Sequence, residues 1–190
     1  MDKGKLATIL KNTKTAIIKD PSKAKAVYRV RVESAGGVKS VVTAQSSNPM
    51  TFDEAAGPNL GLGCSLEHDG HEVGMVPGEM YLASIGSCLV TGIKVFADTK
   101  GLEIEKATVD VTGFADLKGV LGIDQSVRIG YEKVEYKVAI LCDGELDKIE
   151  ELIATADKYS PILDLARKGT DVVGSYYVNG KAMELTQNLT

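Results

Sequence analysis

Apolar residues fall almost all round the stretch 79–97: Met80, Leu82, Ala83, Ile85, Leu89, Val90, Ile93, Val95 and Phe96. Pro77 and Gly78 punctuate its start, Lys100 and Gly101 its end, and no proline interrupts it, so the pattern predicts one long helix. A helix with almost no polar face lies in a core or an interface. The small residues Ala83, Ser84, Gly86 and Ser87 would let a neighbouring backbone come close. Upstream, residues 3–19 place Leu6, Ile9, Leu10 and Ile17 at helical spacing among five lysines, ending at Asp20 and Pro21. That pattern predicts an amphipathic helix docked on the body or on a partner. Its stripe is narrow and lacks aromatics, which argues against a membrane surface.

Strand signals surround these helices. Ala26, Tyr28, Val30 and Val32 alternate with Arg29 and Arg31, and Gly36 and Gly37 turn the chain into residues 39–44. Residues 108–112 and 134–141 read as strands, and Leu146, Ile149, Leu152, Ile153 and Ala156 form one face of a second helix. A last strand is expected over 172–178, turned by Asn179 and Gly180. The order of strands, helix, strands, helix and strand predicts an α+β domain. We divide the chain into an N-terminal helical extension, residues 1–25, and one domain, residues 26–190.

Composition narrows the class. With 190 residues, 44% of them hydrophobic, the chain can bury a substantial core, and no linker or repeat divides it. The net charge of −4 argues against a nucleic-acid binder. No charge-free stretch of about 18 apolar residues occurs, so no membrane span is expected, nor does 1–21 hold the apolar core of a secretory leader. The 3 cysteines lack framework spacing and suit a reducing cytoplasm.

Cys88 lies inside the apolar helix, where a thiol could act as a sheltered nucleophile or serve as a small packing residue. Thiolate is the reactive form, a free thiol ionises near pH 8.5, and apolar burial pushes that higher. Cys88 is more than two turns from its own helix N-terminus, beyond the reach of that dipole. Reactivity would therefore need a charge brought from elsewhere. Glu79 does not supply a direct contact, because nine residues at about 100° each put it on the opposite face. Cys142 and Cys64 read as packing or incidental residues. Cys64, Glu67, His68 and His71 carry metal-capable atoms, but Asp69 and Gly70 read more simply as a hairpin turn and no metal is expected. Gly57, Gly61 and Gly63 lack the strand and helix that a phosphate cradle requires.

Several ordered motifs together carry a family resemblance. Glu79, Leu82, Ala83, Gly86 and Cys88 fit a Glu-x-x-Leu-Ala-x-x-Gly-x-Cys signature. Thr51 to Glu54 in sequence, the run from Asp116 to Ile123, Val127-Arg128-x-Gly130, and Ser160-Pro161-Ile162-Leu163-Asp164 extend it over roughly residues 26–175. The chain resembles the OsmC/Ohr family of osmotically induced and organic-hydroperoxide-resistance proteins. The resemblance implies two small sheets around two central helices in an intertwined homodimer, with active sites where subunits meet. It also implies a cytoplasmic thiol peroxidase that needs no cofactor. Two positions depart from the hydroperoxide enzymes. Where two-cysteine members carry a second cysteine before proline, this chain has Ser160, a natural N-cap followed by proline at the first helical position. Where those enzymes place an arginine after a Gly-Gly turn, it has Lys39, which supplies charge without a bidentate fork.

The expectation is therefore a one-cysteine peroxidase at Cys88, with Glu79, Lys39 and Arg128 as the accompanying catalytic candidates. Its partners would be a small organic hydroperoxide, an external thiol reductant and a second copy of the chain. The alternative is a non-enzymatic OsmC-fold protein that binds an apolar ligand or partner in the dimer cleft.

Overall fold

The computed structural model describes residues 5–44, 66–68, 71–73 and 76–183. Helix α1 (Lys5–Lys19) leads through a 3₁₀ turn (Pro21–Ala24) into β1 (Lys25–Ser34), which turns into β2 (Ser40–Ala44). A small hairpin, β3 (Leu66–His68) and β4 (His71–Val73), precedes the long helix α2 (Pro77–Thr99). Then follow β5 (Lys106–Asp116), the single turn α3 (Leu117–Val120), β6 (Lys133–Leu141), α4 (Leu146–Lys158) and α5 (Pro161–Lys168). A C-terminal hairpin, β7 (Tyr176–Val178) and β8 (Lys181–Met183), ends the described chain. The expected α+β class holds. Among the described residues there is one four-stranded sheet, in the order β2-β1-β5-β6, and two two-stranded hairpins.

Alternation decides which face of the sheet is covered. Antiparallel pairing sets Val30 opposite Val111 and Val32 opposite Val109, and all four valines are buried. On the other face the same register sets Arg31 opposite Asp110, where the guanidinium donates two hydrogen bonds to the carboxylate at 2.7 and 3.0 Å. Leu82, Ile85, Leu89 and Val90 of α2 close the inner face and share one core with Tyr28, Val30, Val32, Val109 and Val111. Further along α2, Ile93 and Ala97 join a second cluster with Ile149, Leu152 and Ala156 of α4.

Two glycines set how closely these layers sit. A Cβ at Gly86 would lie 2.6 Å from Val32 Cγ2 and 3.3 Å from Val111 Cγ2, so α2 rests on the strands at a spacing no larger residue allows. A Cβ at Gly92 would touch Ala156 at 3.4 Å, ordinary packing distance, and α2 and α4 meet there. By length and composition α2 could cross a membrane, contrary to the sequence expectation of no such stretch. Its Leu82, Ile85, Leu89 and Ile93 are instead fully buried against sheet and helix, as in a core helix.

Several elements differ from the sequence reading. Residues 172–175 lie outside any strand, and β7 and β8 form a hairpin whose Asn179 and Gly180 take positive φ of 53° and 78°, as a two-residue primed turn requires. In α4, Ile149, Leu152 and Ala156 are buried as expected, but Leu146 is 80% exposed because it opens the helix beyond the edge of the core. In α1, Thr13 and Ile17 are buried while Leu10 is exposed, so contact with the body is made by the helix's last two turns. His68 pairs with His71 across the β3–β4 hairpin; Asp69 and Gly70, read from the sequence as its turn, lie outside the described residues. Cys64, the glycines at 57, 61 and 63, and the motif at 51–54 lie outside the described residues.

In Gly86→Ala the overpacking cost of about 1 to 3 kcal/mol should exceed the roughly 1 kcal/mol that alanine gains over glycine in a helix, because the Cβ would meet Val32 at 2.6 Å, for a net loss of up to about 2 kcal/mol. Urea unfolding measures it, and an unchanged or raised midpoint would contradict the packing described.

Asp116 offers a second test. It is buried at the start of α3, accepts the Lys118 N–H at 3.0 Å and pairs with Lys25 at 3.0 Å. Burial pushes its carboxyl up, but the Lys118 N–H and the Lys25 and Lys118 ammonium groups outweigh burial and hold it below the usual range. A lowered folded-state value stabilises above the ordinary carboxylate pKa of about 3.9, and that contribution is lost as pH falls through the folded value. Asp116→Asn keeps the cap and removes the charge, so it should melt lower than wild type at pH 7, with the gap narrowing below about pH 4. A gap that persists unchanged into acid would contradict the charge pairing.

Candidate functional site

Cys88 sits in the middle of α2, half-buried, on the turn after Ile85. Its partner comes from 72 residues further along the chain: the Ser160 hydroxyl donates a hydrogen bond to Cys88 Sγ at 3.1 Å. Ser160 is only 4% exposed and is the N-cap of α5. Its oxygen accepts the Leu163 N–H at 3.3 Å, and Pro161 at the first helical position gives up an N–H that no helix could have satisfied. The local sequence thus builds a cap for structural reasons, and the packing of α5 on α2 turns that cap toward the thiol.

This changes the electrostatics expected of Cys88. Its own helix start is too distant, but the N-terminus of α5, where the aligned peptide dipoles present partial positive charge, lies one hydrogen bond away. Acidic groups near this end are engaged elsewhere. Asp164 pairs with Lys168 at 2.5 Å, and Asp157 is held by Arg167 at 2.7 Å and by the Tyr136 hydroxyl. The Arg167 guanidinium keeps the Asp157 carboxyl below its usual range, against the opposing effect of burial.

Glu79 is placed away from the thiol. It is 5% exposed, and its carboxylate accepts the Val76 N–H at 3.0 Å, tying off the start of its own helix. Around it lies an aromatic cluster in which Tyr28 meets Tyr131 edge-on at 5.7 Å and Tyr81 stacks on Tyr131 at 6.1 Å. Tyr131 fits because Gly78 and Gly113 lack side chains; a Cβ on either would lie 2.5 Å from the phenol. Burial raises the Tyr131 hydroxyl well above the usual phenol range, reinforced by Tyr28, Glu79 and Tyr81. That hydroxyl is buried without a hydrogen-bond partner among the described residues.

The two candidate cations are not brought to the sulfur. Lys39 is exposed and closes the β1–β2 turn through its backbone, donating to Gly36 O at 3.1 Å and accepting from Ala35 at 2.9 Å. Its neighbours Gly37 and Val38 line a shallow groove with Lys94, Val95 and Asp98, toward the far end of α2. Arg128 lines a different groove of about 590 Å³, with Tyr81, Ile85, Tyr131, Leu163 and Arg167. Cys88 does not line it, although Ile85 and Leu163 flank the Cys88–Ser160 pair. Among the described residues neither Lys39 nor Arg128 makes a hydrogen bond or ion pair with Cys88. Cys142 is half-buried against the second core cluster, a packing position.

The sequence marks Ser160 as a cap and as the residue standing where two-cysteine members carry their second cysteine, but not as a catalytic candidate; the hydrogen bond from its hydroxyl to Cys88 is what the structure adds.

Comparison with known proteins bears on family and fold. The family model described as OsmC-like protein matches residues 68–173, more than half of the chain. The chain also resembles a solved OsmC-like hydroperoxide resistance protein from Jannaschia sp. CCS1, with a TM-score of 0.53 and 13% identity over 84% of this chain and 98% of that one. No curated protein matches the chain in sequence. At that identity the structural likeness establishes the fold, and the span matched by the family model holds α2 with Cys88, the groove lined by Arg128 and the Ser160 cap. The chain belongs to the family of OsmC-like proteins.

Proposed function

We propose that the chain is a thiol-dependent peroxidase that reduces organic hydroperoxides by a one-cysteine mechanism at Cys88. The observation that carries this reading is the half-buried thiol hydrogen-bonded at 3.1 Å to the Ser160 cap of another helix. The likeness to a hydroperoxide resistance protein supports it. In the proposed reaction the Cys88 thiolate attacks one oxygen of the peroxide. An S–O bond forms, the O–O bond breaks, and the leaving alkoxide takes up a proton as alcohol. Sulfur is oxidised by two electrons to sulfenic acid. An external thiol then condenses with the sulfenic acid, releasing water and leaving a mixed disulfide, and a second external thiol frees Cys88. Apolar surroundings favour organic peroxides over hydrogen peroxide.

We also propose that a second copy completes the site. Met80, Tyr81 and Val95 of α2 are exposed, as are Val172, Val173 and Tyr177 near the C-terminal hairpin, which leaves apolar surface that an isologous dimer would cover. In that assembly Glu79 fixes the helix start, and Lys39 and Arg128 are the cations a second subunit could offer to the thiol. The competing reading, a non-enzymatic protein binding an apolar ligand or partner in the dimer cleft, draws on the absence of any contact between either cation and Cys88 among the described residues.

Cumene hydroperoxide should give a Cys88 sulfenic acid trapped by dimedone, with no disulfide from Cys88 to Cys64 or Cys142. Peroxide consumption by Cys88→Ser at the wild-type rate, with a dithiol reductant present, would sink the peroxidase reading and favour the binding protein.

Ser160→Cys should acquire an intramolecular disulfide to Cys88 on peroxide treatment, detected by peptide mapping without reduction. Two free thiols after oxidation would mean that α5 does not face Cys88.

Light scattering at micromolar concentration should give a dimer, with an interface of about 2,000 Å² or more expected for an obligate pair; a monomer refutes it.

A further inference from the structure

We propose that Ser160 is a positioning residue for the Cys88 thiolate, its hydroxyl fixed by the N-terminus of α5 so that its single proton is presented to the sulfur. This rests on the peroxidase reading for its purpose, though not for its test. A serine hydroxyl has one donor and two acceptor sites. The Leu163 N–H occupies one acceptor site at 3.3 Å, which fixes the rotamer, and the proton is then directed at Cys88 Sγ, 3.1 Å away. The side chain is 4% exposed, so water competes little for that proton.

A neutral thiol is a weak acceptor, whereas a thiolate makes a charge-assisted bond roughly twice as strong as a neutral one. A thiolate at Cys88 would therefore hold the stronger bond to Ser160, and the positive end of α5 acts in the same direction. The charged side chains facing this end from α4 and α5 leave that preference intact, since Asp164 is paired with Lys168 and Asp157 with Arg167. On α2, Glu79 is bound at the helix start by the Val76 N–H. The same hydroxyl can neither attack a sulfenic acid as a thiol would nor close a disulfide, so the residue that prepares the sulfur also leaves its regeneration to an external thiol.

A cap and a thiolate donor make separable demands on this position. Asp caps a helix as well as Ser does, but its carboxylate brings no proton and a like charge. Thr keeps the hydroxyl, and Ala keeps neither. In the full-length protein, the rate at which iodoacetamide alkylates Cys88 at pH 7, followed by peptide-resolved mass spectrometry, should fall about tenfold in Ser160→Ala. It should fall about tenfold or more in Ser160→Asp, and Ser160→Thr should recover most of the wild-type rate. Thermal melting should show Ser160→Asp close to wild type and Ser160→Ala below it. Wild-type alkylation of Cys88 in Ser160→Asp, or alkylation that merely follows melting across the three variants, overturns the proposal. The assay contains no peroxide. A wild-type protein that fails to consume peroxide while its alkylation depends on Ser160 therefore defeats the peroxidase reading alone, and peroxide turnover with Ser160-independent alkylation defeats the positioning role alone.

Discussion

The close seating of α2 on β1 and β5 at Gly86 is the constraint from which the rest of the molecule follows. With no side chain at that point, the helix comes near enough for Leu82, Ile85 and Leu89 to interlock with the valines of both strands. Cys88 lies two residues beyond Gly86. At about 100° per residue it is turned away from the strand contact, toward the side on which α5 packs. A looser seating would shift the sulfur relative to Ser160, and a hydrogen bond of 3.1 Å has little tolerance for such a shift. The geometry of the thiol is thus a by-product of how tightly a helix can lie on a sheet.

The same helix performs three tasks along its length. Its first turn is closed by Glu79 and bordered by Tyr28, Tyr81 and Tyr131; its middle carries the thiol; its last turns join α4 through Gly92 and Ile93. Separating these tasks explains why a carboxylate and a thiol that share one sequence motif do not touch. In a single subunit Glu79 acts on backbone, and the electrostatic partner of Cys88 comes from the α4–α5 junction.

Much of this was legible in the sequence because it depends on local periodicity. The all-round apolar run from Met80 to Phe96 marked the long helix, alternation from Ala26 to Val32 marked β1, and the Ser160–Pro161 step marked a helix start. Errors arose where local signals lacked a tertiary counterpart. Val172 and Val173 have strand propensity but no pairing strand among the described residues, Leu146 keeps the helical spacing but overhangs the core, and Leu117 to Val120 form a turn too short for periodicity to reveal. Lys39 and Arg128 stand out in the sequence for their charge and their place in motifs, which carry no information about distance. The contact between Cys88 and Ser160 spans 72 residues; periodicity and capping explain each residue locally, and only the resemblance to two-cysteine members sets the two positions opposite each other.

The junction itself has a mechanical side. Between α4 and α5 lie only Tyr159 and Ser160, so α5 is hinged to α4 through two residues and is held to the body by Leu163 and the Ser160 cap. The Cys88 sulfur is hydrogen-bonded to the second of those two residues. The two residues that set the angle between the helices therefore also set the neighbour of one sulfur, and the ion pair of Arg167 with Asp157 closes the same corner from its outer side.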